Sequence, residues 1–402
     1  MTNVPEIRFK GFTDAWVQRK LGELADFSKG SGYSKGDLTS SGTPIILYGR
    51  LYTKYETVIE DVDTFVDIKD KAVMSSGGEV IVPSSGETAE DISRASVVGK
   101  SGIILGGDLN IVKPDSSIDP AFLAITISNG NQQKELSKRA QGKSVVHISN
   151  SDLKDVALRL PTLSEQSSIS SFFRTLDNTI TLHKRKLDGL KVLKNGYMQQ
   201  MFPQSGEDVP RLRFAGFAGK WVQHKFGDIL REKRELSKIE NEDVLLSCAI
   251  NGMFLNTELF GRQRGASNIG YVKIKKGDLI LSAQNLHLGN ANVNLRFDSG
   301  IISPAYKVFE VKNCNIDLLA SWIKMDSTKD FFLKATTEGA SVCRKNIEWG
   351  ELMSQRIKLP DFKEQEMIGR FLSTLDRRIT TQANKVDKLK RLKAAYLQQM
   401  LL

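Results

Sequence analysis

The chain has 402 residues, with 57 Lys and Arg against 47 Asp and Glu and a formal net charge of +10. At about 100–200 residues per domain this length allows two or three domains, and the positive balance favours a polyanionic partner. Cys248, Cys314 and Cys343 are odd in number and lack C-x-x-C spacing, which speaks against a disulfide frame or a zinc site.

The opening stretch MTNVPEIRFKGF has no apolar h-region, and no run of about 18 apolar residues occurs, so export and membrane insertion are not expected and a cytoplasmic location is. The block from Val4 to Leu24 returns from Val209 to Ile229, repeating Pro5, Arg8, Phe9, Gly11, Phe12, Trp16, Val17, Gln18, Lys20 and Gly22. A mixed α/β segment follows, from about Ala25 to Arg159. Its stretches IILYGRLYTKY and EVIVPSS have the β-branched and aromatic character of strands, and a helix is expected after Asp119-Pro120.

From Leu160 to Phe202 the sequence takes helical spacing. Ile169, Phe172, Leu176, Ile180, Leu187, Leu190, Leu193 and Tyr197 recur at steps of about three and four between Lys, Arg, Asp and Gln, a narrow stripe close to a coiled-coil repeat. A continuous helix there would be roughly 55 Å long. The same block returns without a gap from Leu359 to Leu401, with Ile368, Phe371, Leu375, Ile379, Leu389, Leu392 and Tyr396 in the stripe. Each narrow stripe can cover one partner helix, and the other copy is the natural partner. Between them PQSGEDVP joins the first helix to a second α/β segment, about Leu230 to Lys358, whose stretches YVKIKKGDLILSAQ and AYKVFEVK read as strands. The fold class expected is α+β: two similar modules, residues 1–159 and 203–358, and two long helices, 160–202 and 359–402, packed on each other.

Catalytic motifs are hard to place. The glycines from Gly30 to Gly36 do not have the G-x-G-x-x-G spacing, and the Gly99 and Gly142 stretches lack the upstream glycine of a phosphate-binding loop. Asp115, Asp152 and Lys154 form a weak nuclease-like trio without a counterpart in the second half, and His147, His183, His224 and His287 are scattered singly. No metal site is expected. What remains is binding: Lys29, Tyr33, Lys35, Arg94, Arg139, Lys143 and Ser144 in the first module, and Arg262, Arg264, Gln284, Asn285, Ser341, Arg344 and Lys345 in the second. These side chains can contact phosphates, guanine or adenine edges.

The paired opening blocks and the paired L-P…E-Q…I…F…L-D…I blocks, each ending Tyr-x-Gln-Gln-Met, resemble the specificity subunit of type I restriction-modification enzymes, over essentially the whole chain. The resemblance implies two target-recognition domains that each read one half of a split, asymmetric double-stranded DNA site, and two long helices, packed antiparallel as a coiled coil, that fix the unread spacer. It implies partners: two methyltransferase subunits using S-adenosylmethionine, and two motor-nuclease subunits using ATP and magnesium, with no cofactor bound by this chain. A coiled-coil scaffold binding only protein is the first rival reading, and a self-sufficient nuclease or methyltransferase the second.

Overall fold

The computed structural model describes residues 4–140, 142, 145–262, 267–341 and 344–401, with the side chains of 338–341 and 344 left aside. The chain forms two compact units, one of residues 1–184 with 384–402, the other of residues 185–383. Boundaries drawn on the sequence set each long helix apart; by contact, each helix is shared between the units.

In the first unit, Val17–Lys20 pairs antiparallel with Ala157–Leu160 and so brings together the two ends of the module. A five-stranded sheet follows in the order Ala25–Lys29, Leu109–Pro114, Val80–Pro83, Ser96–Val98, Val58–Ile59, beside a four-stranded sheet in the order Ile104–Leu105, Thr43–Ile46, Phe65–Val66, Leu38–Thr39. Val80–Pro83 is buried throughout, which is why it reads as an unbroken apolar run instead of an alternating one. The expected strand from Ile45 to Tyr55 is only partly one. It ends at Ile46, and Arg50–Thr53 form a helical turn. Arg50, with 8% of its side chain exposed, turns there to reach Glu56 and Asp63.

The second unit repeats this plan. Val222–Lys225 pairs with Arg356–Leu359. One sheet runs Leu230–Lys233, Tyr306–Val311, Leu279–Ser282, Ala291–Val293, and another runs Gly252–Leu255, Leu245–Ala249, Ser299–Ile302, Val272–Lys275. Matching turns feed the central strand of each module: Gly78 at φ 92° before Val80, and Gly277 at φ 91° before Leu279. A carboxylate organises each turn. Glu79 accepts from the Ser76 and Gly77 amides, and Asp278 from the Lys275 amide and the Lys233 ammonium.

The long helices are Leu163–Met201 and Phe362–Met400, 39 residues each. Within the first unit, Phe172 meets Tyr396 edge to face at 5.1 Å and Lys393 reaches Asp177 at 2.5 Å. Within the second, Lys194 reaches Asp376 at 2.6 Å and Tyr197 meets Phe371 at 4.9 Å. In both units the numbering rises on one helix as it falls on the other, so the packing is antiparallel, and the same residue types meet in both.

Along the stripe, Ile169, Leu176, Leu187, Ile368 and Leu375 are buried, and Phe172, Ile180, Leu190, Tyr197, Phe371, Ile379, Leu389 and Tyr396 are half-buried. Leu392 corrects the expectation, being 41% exposed, as is its duplicate Leu193 at 46%. The seam runs from Leu389 through Lys393 to Tyr396, a step of four instead of three, and the lysine is accommodated because it finds Asp177.

Candidate nucleic-acid interface

Each module is held to a long helix by a buried ion pair. Arg8 in the opening block donates from Nε and Nη2 to both oxygens of Glu165 at 2.8 and 2.7 Å. Arg213, its duplicate, does the same to Glu364 at 2.7 and 2.7 Å. Glu165 and Glu364 are 1% and 0% exposed, so the two-pronged guanidinium is what makes their burial tolerable. These glutamates hold both arginines above the usual guanidinium pKa, chiefly through the hydrogen bonds.

The next residue completes the joint. Gln166 accepts from the Asp119 amide and donates to the Pro161 carbonyl, and Gln365 accepts from the Asn315 amide and donates to the Pro360 carbonyl. Asp119 and Asn315 in turn cap the helices Pro120–Ile127 and Ile316–Trp322. At Gly369 a side chain would strike Asn315 Oδ1, so only glycine permits the approach there. The Glu-Gln pairs were visible as repeated letters in the sequence. Their partners were not, because Arg8 and Arg213 lie far away along the chain.

In the first module Lys29 ends the strand Ala25–Lys29 opposite Asn110 and is exposed, as is Lys35 in the capped turn Lys35–Asp37. Tyr33 between them is a correction. It is 8% exposed, its hydroxyl accepts from the Lys69 amide at 2.7 Å, and the Lys69 ammonium lies over its ring at 4.8 Å. Its ring and hydroxyl are used within the module, so it cannot stack on a base.

Arg94 pairs with Asp91 at 3.1 Å and Arg139 with Glu135 at 2.8 Å, each about one-third exposed. Acids three and four residues earlier, a spacing visible in the sequence, compete for both guanidinium groups. Lys143 and Ser144 lie outside the described residues.

The second module gathers its expected residues more closely. The amide of Lys345, in the hairpin of the strands Thr336–Ser341 and Arg344–Ile347, donates to the Gln284 carbonyl at 3.2 Å. This bond joins the hairpin to the loop that carries Gln284 and Asn285 after the strand Leu279–Ser282. Ser341 and Arg344 are on the same hairpin, and nothing is described of their side chains. Arg264 is outside the described residues. Arg262 is exposed just after Gly261, which ends the helix Asn256–Phe260 in a left-handed turn at φ 68°.

Asn285 also lines a cleft of about 790 Å³ with Asn290, Phe260, Tyr271 and Tyr306. Aromatic faces beside amide edges are chemically suited to a nucleobase. Behind it sits a residue that the sequence reading passed over. Lys324 donates to the Ile250 and Ala291 carbonyls at 2.8 Å each and to Asn292 Oδ1 at 2.6 Å. Burial pushes its ammonium down to about 8. Burial pushes the neighbouring Cys248 thiol up to about 11, so it is a packing group instead of a nucleophile. Among the described residues no three His, Cys, Asp or Glu side chains gather as a metal-binding group, and no helix is long and apolar enough to cross a membrane.

The sequence pattern of the family described as the type I restriction modification DNA specificity domain matches residues 13–192 and again 221–391. A curated relative, the type I restriction enzyme MjaVIII specificity subunit of Methanocaldococcus jannaschii, is 19% identical over 366 residues, covering 84% of this chain and 81% of that protein. Among solved structures, the S subunit of a type I restriction-modification system from M. genitalium has a TM-score of 0.64 at 14% identity, over 99% of each chain. A second, solved for complex assembly and conformational transition of a type I restriction-modification system, has a TM-score of 0.52 at 16% identity, over 96% of this chain and 97% of that one. At those identities the two structures show a shared fold. Matched twice by the family pattern over most of its length, the chain belongs to the type I restriction-modification DNA specificity family, as a specificity subunit and not a catalytic one.

Proposed function

We propose that the two modules each read one half of a bipartite, asymmetric site in double-stranded DNA, and that the long helices set the spacer between the half-sites. The observation that carries this reading is the contrast between frame and contents. The two-pronged Arg8–Glu165 and Arg213–Glu364 clamps and the Lys–Asp pairs on the helices recur between the same residue types in both halves. The candidate contact residues do not: exposed Lys29 and Lys35 in one module face no match among Arg262, Gln284, Asn285 and Lys345 in the other. A doubled scaffold carrying unlike surfaces suits one kind of task performed on two different sequences. Phosphate contacts supply most of the affinity and make it fall with salt, and base-edge contacts of about 1–3 kcal/mol each set the sequence.

The same doubling suits recruitment of two identical methyltransferase subunits, with two motor-nuclease subunits completing the cytoplasmic complex. S-adenosylmethionine, ATP and magnesium are assigned to those partners. Mapping of methylated adenines in the source cell, with and without this chain, tests the reading. A split motif that disappears with the chain is expected; an unchanged methylome, or an unsplit motif, overturns it.

A further inference from the structure

We infer that each unit carries an equivalent cleft, lined by a Gln-Gln pair, that takes an extended segment of a partner protein present in two copies. This rests on the proposed recruitment of two identical methyltransferase subunits and names where each one docks. In the first unit a cleft of about 490 Å³ lies between Val4–Glu6, the start of the helix Gly130–Arg139 and the end of the second long helix, with Gln398 and Gln399 in its wall. In the second unit a cleft of about 580 Å³ lies between Gln204–Arg211, the start of the helix Asp326–Lys334 and the end of the first long helix, with Gln199 and Gln200 in its wall. The surrounding backbone matches too: the Ile7 amide donates to the Gln399 carbonyl at 3.1 Å, and the Leu212 amide to the Gln200 carbonyl at 2.9 Å.

Gln199, Gln200 and Gln398 are exposed and Gln399 half-buried, and none of the four amides bonds to another described residue. Some exposed positions of the long helices have diverged between the copies, Ser171 against Arg370 and Asn178 against Arg377 among them, while Lys186, Asp188 and Leu193 are kept as Lys385, Asp387 and Leu392. What sets the four glutamines apart is that each pair lines a cleft at the same place in its unit, with no side-chain hydrogen bond to another described residue.

Charge identifies the class of occupant. Glu6 and Lys134 bring one charge of each sign to the first cleft. In the second, Arg211 is paired with Glu207 and Asp326 with Lys329, while Lys324 is spent on internal carbonyls. Neither cleft offers the surplus of free cations that a phosphate backbone requires. Adjacent glutamine amides instead present donor and acceptor together, the complement of the unpaired N–H and C=O groups of an extended peptide; a helix has already satisfied its own.

The test uses the full chain and the methyltransferase subunit of the same system. Native mass spectrometry and titration compare wild type with Gln199→Ala/Gln200→Ala, Gln398→Ala/Gln399→Ala and all four together. Wild type is expected to bind two copies, each pair variant to hold one copy as before and the other about 30-fold more weakly, and the fourfold variant to weaken at both sites. Two copies bound at wild-type affinity by the fourfold variant would overturn the clefts while leaving recruitment intact. A wild-type chain that binds no methyltransferase would overturn the recruitment reading itself. As a measurement independent of folding losses, a photo-crosslinking side chain at position 199 or 398 should capture the same partner peptide; capture of different peptides, or of DNA alone, refutes the inference.

Discussion

Replacing Glu364 by Gln tests the joint between the second module and its helix. The carboxylate is 0% exposed and receives two hydrogen bonds of 2.7 Å from Arg213, whose side chain is 13% exposed. Glu364→Gln leaves a largely buried guanidinium facing a neutral amide, at a cost of about 3 kcal/mol. Set against a total stability of about 5–15 kcal/mol, that lowers the melting temperature of a unit of this size by roughly 6–12 °C. Removing both charges, Arg213→Met with Glu364→Leu, leaves no orphaned ion and should cost about 1 kcal/mol or less, well below the sum of Arg213→Met and Glu364→Leu made singly. Urea unfolding followed by tryptophan fluorescence reads this out, since Trp221, Trp322 and Trp349 belong to the second unit. The two clamps also differ in a testable way. Arg213 Nη1 donates to the Gly219 carbonyl at 2.6 Å, whereas the buried Arg8 Nη1 has no partner among the described residues. Arg213→Met should therefore cost about 1 kcal/mol more than Arg8→Met. If Glu364→Gln costs under about 1 kcal/mol, or the single and double variants add, the joint does not work as an ion pair and the reasoning fails.

Leu375, 5% exposed in the seam, should tolerate charge poorly: Leu375→Glu is expected to cost about 3 kcal/mol or more by thermal unfolding, whereas Leu392→Glu, at an exposed position, should stay within about 0.5 kcal/mol. Arg139→Ala should leave DNA affinity unchanged because Glu135 already holds that guanidinium. Lys345→Ala should weaken binding and reduce the slope of log affinity against log salt by about one; equal effects from the two variants would contradict this assignment. Exchanging residues 25–157 for those of a relative should alter one half-site in the methylome, and a change in both would end the modular reading. Inserting one helical turn of about 5.4 Å in a long helix should lengthen the unread spacer, and an unchanged spacing would refute the ruler.

The sequence by itself determined the duplication, the helical character of the repeated blocks and the family, because each depends on letters recurring at fixed spacing along one chain. Helical periodicity is local physics, and Ile169 to Tyr197 display it without help from any distant residue. Tertiary structure decided what depends on meetings across the chain. Glu165 is an unremarkable acid near a helix start until Arg8 is folded against it, and Lys194 and Lys393 look like surface lysines until Asp376 and Asp177 draw them into the seam in place of leucine. Tyr33 reads as an aromatic among basic residues, suited to stacking on bases, yet Lys69 arrives from the loop after the strand Phe65–Val66 and takes both its hydroxyl and its ring face. Residue type sets what a side chain can do, and only the fold sets which neighbour reaches it first.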